Sequence, residues 1–166
     1  MSWKSNRAID MRVLHLSDVT DTITAGGQVV KFTTEADLVG SPTSTYTSST
    51  GQLVLPNVPC VLKAGLEFKK TLGSNEAYYI DVQWYDVTNS QYIGSKARVK
   101  GYRPDTYYNS YSLTCDEEAV ALAQNITVEC RIIDKQGTPS NNQTMVLDNS
   151  ASYSGESRAI ILELHG

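Results

Sequence analysis

The two histidines, His15 and His165, are the first candidates for acid–base or metal chemistry. A Ser-His-Asp site needs a histidine as its base, and a zinc site typically shows an HExxH or a Cys/His spacing. Neither spacing is present: His15 lies in an apolar segment and His165 is the penultimate residue. We therefore expect no catalytic residue of this kind, no metal and no cofactor.

Acidic residues offer two further possibilities. The run 116–118 (Asp-Glu-Glu) could hold a hard cation, but such sites need several carboxylates at a defined loop spacing, which the run lacks. Asp81 and Asp86 could be the paired carboxylates of a glycosidase, which lie about 5–9 Å apart in a cleft. We expect a solvated acidic loop and no enzyme, with glycan cleavage by Asp81 or Asp86 as an alternative.

A basic stripe is the most distinctive charged feature. Lys96, Arg98 and Lys100 alternate with small or apolar residues, so they share one strand face. Such a stripe could bind an acidic partner or phosphates, and it would also protect an exposed strand from edge-to-edge pairing. Because the net charge is −4, overall electrostatics do not favour nucleic acid. We therefore predict these three residues to be partner-binding, with no nucleic-acid partner.

Length and cysteine content limit the class of protein. A chain of 166 residues is enough for one domain with a substantial core. Its three cysteines, Cys60, Cys115 and Cys130, each fall in phase with apolar neighbours, which predicts buried free thiols and synthesis in a reducing compartment. The N-terminal residues do not resemble a signal peptide, and no 18-residue apolar stretch exists, so we expect neither secretion nor a membrane span.

The segment 77–94 is the strongest structural signal. In residues 78–85, every second side chain falls on the same face, as in a half-buried strand. Tyr78, Ile80, Val82 and Trp84 fall on one face, and Tyr79, Asp81, Gln83 and Tyr85 fall on the other. Asp86, Asn89 and Ser90 then supply turn chemistry before Tyr92 and Ile93 start a return strand. This pattern predicts a central hairpin.

Similar alternation predicts further short strands along the chain. They cover residues 11–16, 28–34, 53–55, 60–68, 96–100, 111–115, 126–134, 144–147 and 159–164. Segment 11–16 carries apolar groups on both faces, so it could lie between two layers or two chains. In the last strand we expect Ile160, Leu162 and Leu164 to face the core. Residues 40–51 are predicted to be a loop. Residues 116–124 are predicted to be a short helix or turn, with a strand as the alternative.

These elements predict an all-β jelly-roll sandwich of about 8–10 strands. We expect residues 1–27 to form an N-terminal arm and lead-in strand, and 28–166 the jelly-roll domain. A terminal arm is usually disordered unless something holds it. Trp3, Lys4, Arg7 and Ile9 are the anchors and charges of this arm. We predict that they contact a partner or a neighbouring subunit, with docking of the arm on its own domain as the alternative.

The order of these features resembles the jelly roll of the C1q and tumour-necrosis-factor type over residues 28–164. The matching parts are the aromatic-rich hairpin 78–85, the Val120-x-Leu122-x-x-Asn125 entry to a strand, and Ser152-Tyr153-Ser154-Gly155 before the closing strand. The insertion 156–158 and the absence of a Phe before Gly155 depart from the family pattern. The resemblance implies assembly around a three-fold axis through aromatic-lined faces, and no enzymatic residues.

The hairpin 84–94 also resembles one found in structural proteins of tailed phages, among them head decoration proteins and fibre tips, which are commonly trimers. This resemblance implies a homotrimeric structural virion protein that cements the capsid and binds the major capsid protein or another virion protein. It would be made in the host cytoplasm. The alternative is a receptor-binding fibre tip, in which Tyr107, Tyr108 and Tyr111 stack on glycans.

Overall fold

The computed structural model describes residues 8–16, 20–23, 26–70, 78–101, 110–119, 125–136, 145–148 and 157–165. Within these ranges the chain is all-β and contains no helix. The predicted all-β class is therefore confirmed. None of the described segments is a helix long and apolar enough to cross a membrane.

Thirteen strands make up the described part of the chain, more than the number predicted. They are β1 (Ile9–His15), β2 (Thr20–Thr22), β3 (Gln28–Val29), β4 (Thr34–Val39), β5 (Thr45–Thr47), β6 (Gln52–Leu55), β7 (Cys60–Lys70), β8 (Tyr78–Asp86), β9 (Gln91–Gly101), β10 (Ser110–Ala119), β11 (Ile126–Gln136), β12 (Met145–Asp148) and β13 (Arg158–Leu164).

The strands form two antiparallel sheets. Sheet A has seven strands in the order β2-β12-β7-β13-β1-β4, with β10 also paired to β7. Sheet B has six strands in the order β5-β6-β11-β8-β9, with β3 paired to β11. Neighbours in each sheet are mostly distant in sequence, as in a jelly roll. Because β1 is hydrogen-bonded between β13 and β4, this lead-in strand is an integral part of sheet A.

The hydrophobic core lies between the sheets. The predicted inner face of β8 is confirmed, since Ile80, Val82 and Trp84 are all buried. From sheet A, alternate residues of β7 reach the same core, and Leu62 is wholly buried. Cys60 and Cys130 are both buried, as predicted, while the side chain of Cys115 lies outside the described part.

Three segment predictions need correction. Strand 28–34 ends at Val29, although Val30 and Phe32 are buried as expected, and a new strand, β4, starts at Thr34. The predicted loop 40–51 contains the short strand β5. Residues 116–119 belong to β10 and are not helical, because their backbone pairs with residues 60–63 of β7; residues 120–124 lie outside the described ranges.

The face assignment of the last strand was wrong. Ala159, Ile161 and Glu163 are wholly buried on the core side of β13, whereas Ile160, Leu162 and Leu164 are only half-buried. The β13 ladder is continuous with both β1 and β7, so this orientation is set by its neighbours. Three consecutive aliphatic residues made either face plausible from the sequence.

Candidate assembly surface

Sheet A carries apolar side chains on both faces. One set packs into the core, and the other set lies on the side of the sheet that faces away from sheet B. We call the second set the outer apolar face; it comprises Ile9, Met11, Val13, Val39, Val61, Ile160, Leu162 and Leu164. An apolar sheet face of this kind is typical of a surface that another protein covers.

The strand registers bring these residues together. Ile9, Met11 and Val13 lie directly opposite Leu164, Leu162 and Ile160 across the β1–β13 ladder. On the far sides, Val61 of β7 lies opposite Leu162, and Val39 of β4 lies opposite Met11. Opposed side chains on one sheet face are close enough to contact each other, so four strands contribute to a continuous patch.

Exposure shows where this face meets solvent in the single chain. Ile9 is 53% exposed and Val39 is 51% exposed. Leu38 is also 51% exposed, but it lies opposite Arg12 and so on the other side of sheet A. All three lie at or next to β4, which is an outermost strand in the path of sheet A. An exposed apolar edge strand favours pairing with another chain.

A polar cluster caps one end of the core on the inner side of the same strands. The Glu163 carboxylate accepts hydrogen bonds from the Thr43 amide at 2.9 Å, the Thr43 hydroxyl at 3.0 Å and the Ser44 amide at 2.7 Å. Burial would raise the pKa of Glu163, but these hydrogen bonds outweigh it and the pKa is lowered. Glu163 therefore remains ionised near neutral pH although its side chain is buried.

Arg12 belongs to the same cluster. Its guanidinium donates to the hydroxyl and carbonyl oxygens of Ser44 and pairs with Glu35. Burial lowers the pKa of Arg12, and the negative charge of Glu163 partly offsets this. The cluster thus fastens the segment containing Ser44 to strands β1 and β13.

Two residues of the predicted basic stripe are engaged within the chain. Arg98 donates two hydrogen bonds of 2.6 Å to the carboxylate of Asp81, and Lys96 Nζ lies 3.0 Å from the same carboxylate. The Arg98 guanidinium also stacks on the ring of Tyr79, 3.8 Å from its centroid. Much of their charge is therefore neutralised by Asp81, which leaves less for an acidic partner.

Asp81 does not have the environment of a general acid, and Asp86 closes a turn. The hydrogen bonds from Arg98 outweigh burial and lower the pKa of Asp81, whereas a general acid requires a raised pKa to keep its proton. Asp86 accepts hydrogen bonds from the amide and side chain of Asn89 and so closes the hairpin turn. Both contacts are structural.

Most of the other predicted partner residues lie outside the described part. Trp3, Lys4, Arg7, Tyr107 and Tyr108 fall in ranges that are not described, as do the side chains of Lys100 and Tyr111. Ile9 is the first residue of β1, where it pairs with Leu164. The predictions that these residues bind partners or glycans remain predictions.

The outer apolar face was only partly visible in the sequence. The apolar residues on both sides of segment 11–16 did indicate a strand covered on two faces. In β13 the consecutive Ile160, Ile161 and Leu162 carry the same signal, but only one face of that strand was predicted to be apolar.

Among the described residues, one group offers ligand atoms for a cation. It consists of Asp10, Glu163 and His165, whose ligand atoms lie within 4.8 Å of one another.

Comparison with known proteins identifies the fold. No protein-family model matches the sequence, and no curated protein matches it. Among solved structures, Eiger TNF from S. frugiperda is 9% identical, with coverage of 95% of this chain and 94% of that chain and a TM-score of 0.55. The globular domain of zebrafish complement 1qA protein is 9% identical, with coverage of 95% and 97% and a TM-score of 0.49. The likeness to the first structure shows that this chain has the jelly-roll fold of the tumour-necrosis-factor type.

Proposed function

We propose that this protein is a structural module that assembles as a homotrimer through the outer apolar face of sheet A. The observation that carries the proposal is the run of three apolar pairs along β1 and β13, flanked by Val39 and Val61. Domains of the tumour-necrosis-factor and C1q type are usually trimers, which supports a second and a third copy of this chain as the occupants.

The energetics support burial of this face on association. Full removal of a Val, Leu or Ile side chain from water contributes about 1.5–3 kcal/mol. Ile9 and Val39 are still about half exposed in the single chain, so much of that free energy is gained only on assembly. Lys63, opposite Ile160, and Arg158, two residues before Ile160, lie at one margin of the same side of the sheet. Association must therefore leave these two charges in contact with solvent or pair them.

We further propose that the trimer is a component of a tailed-phage virion, a decoration protein that cements the capsid. The hairpin resemblance supports this function, which involves no catalytic step. A cement protein binds the assembled shell but not its free subunits, so it stabilises the shell by mass action. The predicted arm, with Trp3, Lys4 and Arg7, would make the capsid contact.

Sedimentation velocity of the purified chain tests the trimer. We expect a trimer for the unaltered chain and a monomer for Leu162→Asp, because three buried carboxylates would then meet at the interface. Tyr92→Asp is the matched control, since Tyr92 is 45% exposed but lies on sheet B, and it should remain trimeric. A monomeric unaltered chain, or a trimeric Leu162→Asp variant, would contradict the proposal.

Capsid occupancy tests the cementing role separately. Deletion of residues 2–7 leaves β1 intact and should preserve the trimer while it reduces the number of copies bound per particle. Unchanged occupancy would refute the role of the arm without affecting the trimer proposal. The alternative glycan-binding function predicts that Tyr107→Ala and Tyr108→Ala abolish glycan binding with capsid occupancy unchanged.

A further inference from the structure

Three potential metal ligands meet where the first and last strands run side by side. Asp10 of β1 lies directly opposite Glu163 of β13. The ladder continues beyond β13, because the His165 amide donates to the carbonyl of Ala8 at 3.0 Å. Asp10 and Glu163 alternate with the residues of the outer apolar face, so this group lies on the opposite side of sheet A and is independent of the proposed trimer contact.

The charges of this group are poorly balanced. Two carboxylates directly opposite each other in a ladder repel, and the Glu163 side chain has 0% exposure. Arg12, a nearby cation, is already bonded to Ser44 and paired with Glu35. A further positive charge between Asp10 and Glu163 would therefore stabilise the native structure.

His165 occupies the position where that charge is needed. Its Nε2 atom lies 3.2 Å from Asp10 Oδ2 and 3.5 Å from Glu163 Oε2. The atom is buried, yet it makes no hydrogen bond. A buried imidazole nitrogen directed at two carboxylate oxygens without hydrogen-bond geometry is an arrangement that a shared cation satisfies.

The two separations between His165 and the carboxylates match the dimensions of a zinc site. Zinc–nitrogen and zinc–oxygen bonds of about 2.0–2.1 Å at a tetrahedral angle place the ligand atoms about 3.3 Å apart. The two separations from His165 Nε2, 3.2 and 3.5 Å, lie on either side of that value. All three ligand atoms lie within 4.8 Å of one another, so rotation of the side chains would be enough to bind an ion. A mixed imidazole and carboxylate set favours a transition metal over Ca²⁺ or Mg²⁺, which prefer oxygen ligands alone.

Surrounding residues orient the carboxylates, as is usual around metal ligands. The amides of Thr43 and Ser44 fix Glu163, and the Thr43 hydroxyl bond to Oε2 can turn away if that oxygen binds an ion. Gly40 has a φ of +73°, and a Cβ there would lie 1.8 Å from Asp10 Oδ1. Glycine at position 40 thus leaves room for the Asp10 carboxylate.

We propose that Asp10, Glu163 and His165 bind one divalent transition-metal ion, with Zn²⁺ the best fit and solvent in the remaining position. The ion would join the start of β1 to the end of β13 and, through Glu163, to the segment at Thr43 and Ser44. Its role would be structural, because it would connect the two ends of the fold.

Titration of ZnCl₂ into the full chain, after chelator treatment, tests the site by calorimetry. We expect one ion per chain, and a dissociation constant at least tenfold weaker in Asp10→Asn and in His165→Ala. His15→Ala is the matched control, because it removes the other histidine of the chain, and it should bind as the unaltered protein does. Zinc should also raise the thermal midpoint of the unaltered chain and of His15→Ala, but not of His165→Ala.

Cobalt distinguishes this site from a cysteine site. Cys60 lies opposite Glu163 in the ladder, but its thiol donates to the Val58 carbonyl at 3.3 Å and is not among the ligand atoms that converge on the site. Bound Co²⁺ should therefore show visible bands without a thiolate charge-transfer band. Absence of binding to the unaltered chain, unchanged binding in both site variants, or a thiolate band would overturn the proposal.

Discussion

Ile161 and Leu162 are adjacent residues of β13 whose side chains point to opposite faces of sheet A. Ile161 is wholly buried in the core, whereas Leu162 lies half-buried on the outer apolar face opposite Met11. Alanine at each position removes a similar volume of hydrocarbon. The two variants therefore separate folding of the chain from its assembly.

Ile161→Ala should change mainly the free energy of unfolding, and Leu162→Ala mainly the free energy of association. Ile161→Ala leaves a cavity in a packed core and should lower the free energy of unfolding by about 2–5 kcal/mol. Leu162 is half-buried in the single chain, so Leu162→Ala costs the monomer a smaller amount than Ile161→Ala does. It also removes apolar area that assembly would bury, about 1 kcal/mol per subunit. Over three subunits that is about 3 kcal/mol, which weakens the trimer dissociation constant by about two orders of magnitude.

Urea unfolding at two protein concentrations, combined with sedimentation equilibrium, measures both effects. Ile161→Ala should unfold at lower urea at both concentrations and still sediment as a trimer while it is folded. Leu162→Ala should dissociate on dilution, and its monomer should lose less stability than that of Ile161→Ala. If Leu162→Ala instead destabilised the monomer as much as Ile161→Ala does, the face assignment of β13 and the assembly argument would both be refuted.

Three further predictions concern the stability of the fold. Asp81→Ala should lower the free energy of unfolding by about 1–3 kcal/mol in urea titrations, because it strips a buried partner from Arg98, whose own side chain is 37% exposed; an unchanged midpoint would show that the pair contributes nothing. Gly51→Ala should cost about 1–3 kcal/mol, because φ is +77° and the new Cβ would lie 2.6 Å from Val29 Cγ1, whereas Ser48→Ala in the same exposed turn should have little effect. The folded-state pKa values of Asp81 and Glu163 are lowered, so at low pH the unfolded state binds more protons than the folded state. The free energy of unfolding should therefore be highest above about pH 5 and fall as acid titrates both carboxylates below about pH 4. In acid-unfolding curves, Asp81→Asn should lose less of its free energy of unfolding than the unaltered chain does.

Particular elements show how far sequence reasoning reached. The inner face of β8 was correctly predicted from alternation alone, because Trp84 and its neighbours have opposite polarity to the residues between them. The same reasoning was wrong for β13, where the polarity of Ile160, Ile161 and Leu162 does not differ. For 116–119 a helix or turn was preferred over a strand because the acidic residues have helical propensity, which pairing with β7 overrides.

For the site residues, too, the sequence predicted some features and not others. Arg98 was recognised as part of a basic stripe, but its pairing with Asp81 depends on the β8–β9 register, which alternation does not specify. The group of Asp10, Glu163 and His165 had no sequence signal, because its members come from opposite ends of the chain and meet only through the β1–β13 ladder.

The sequence by itself determined the all-β class, the central hairpin and the buried cysteines, because each depends on local alternation and turn chemistry. Only the tertiary structure decided which aliphatic face of the last strand enters the core and which distant polar groups meet. Those outcomes depend on strand order and register, which arise when two sheets bury a common core and which no short stretch of residues encodes.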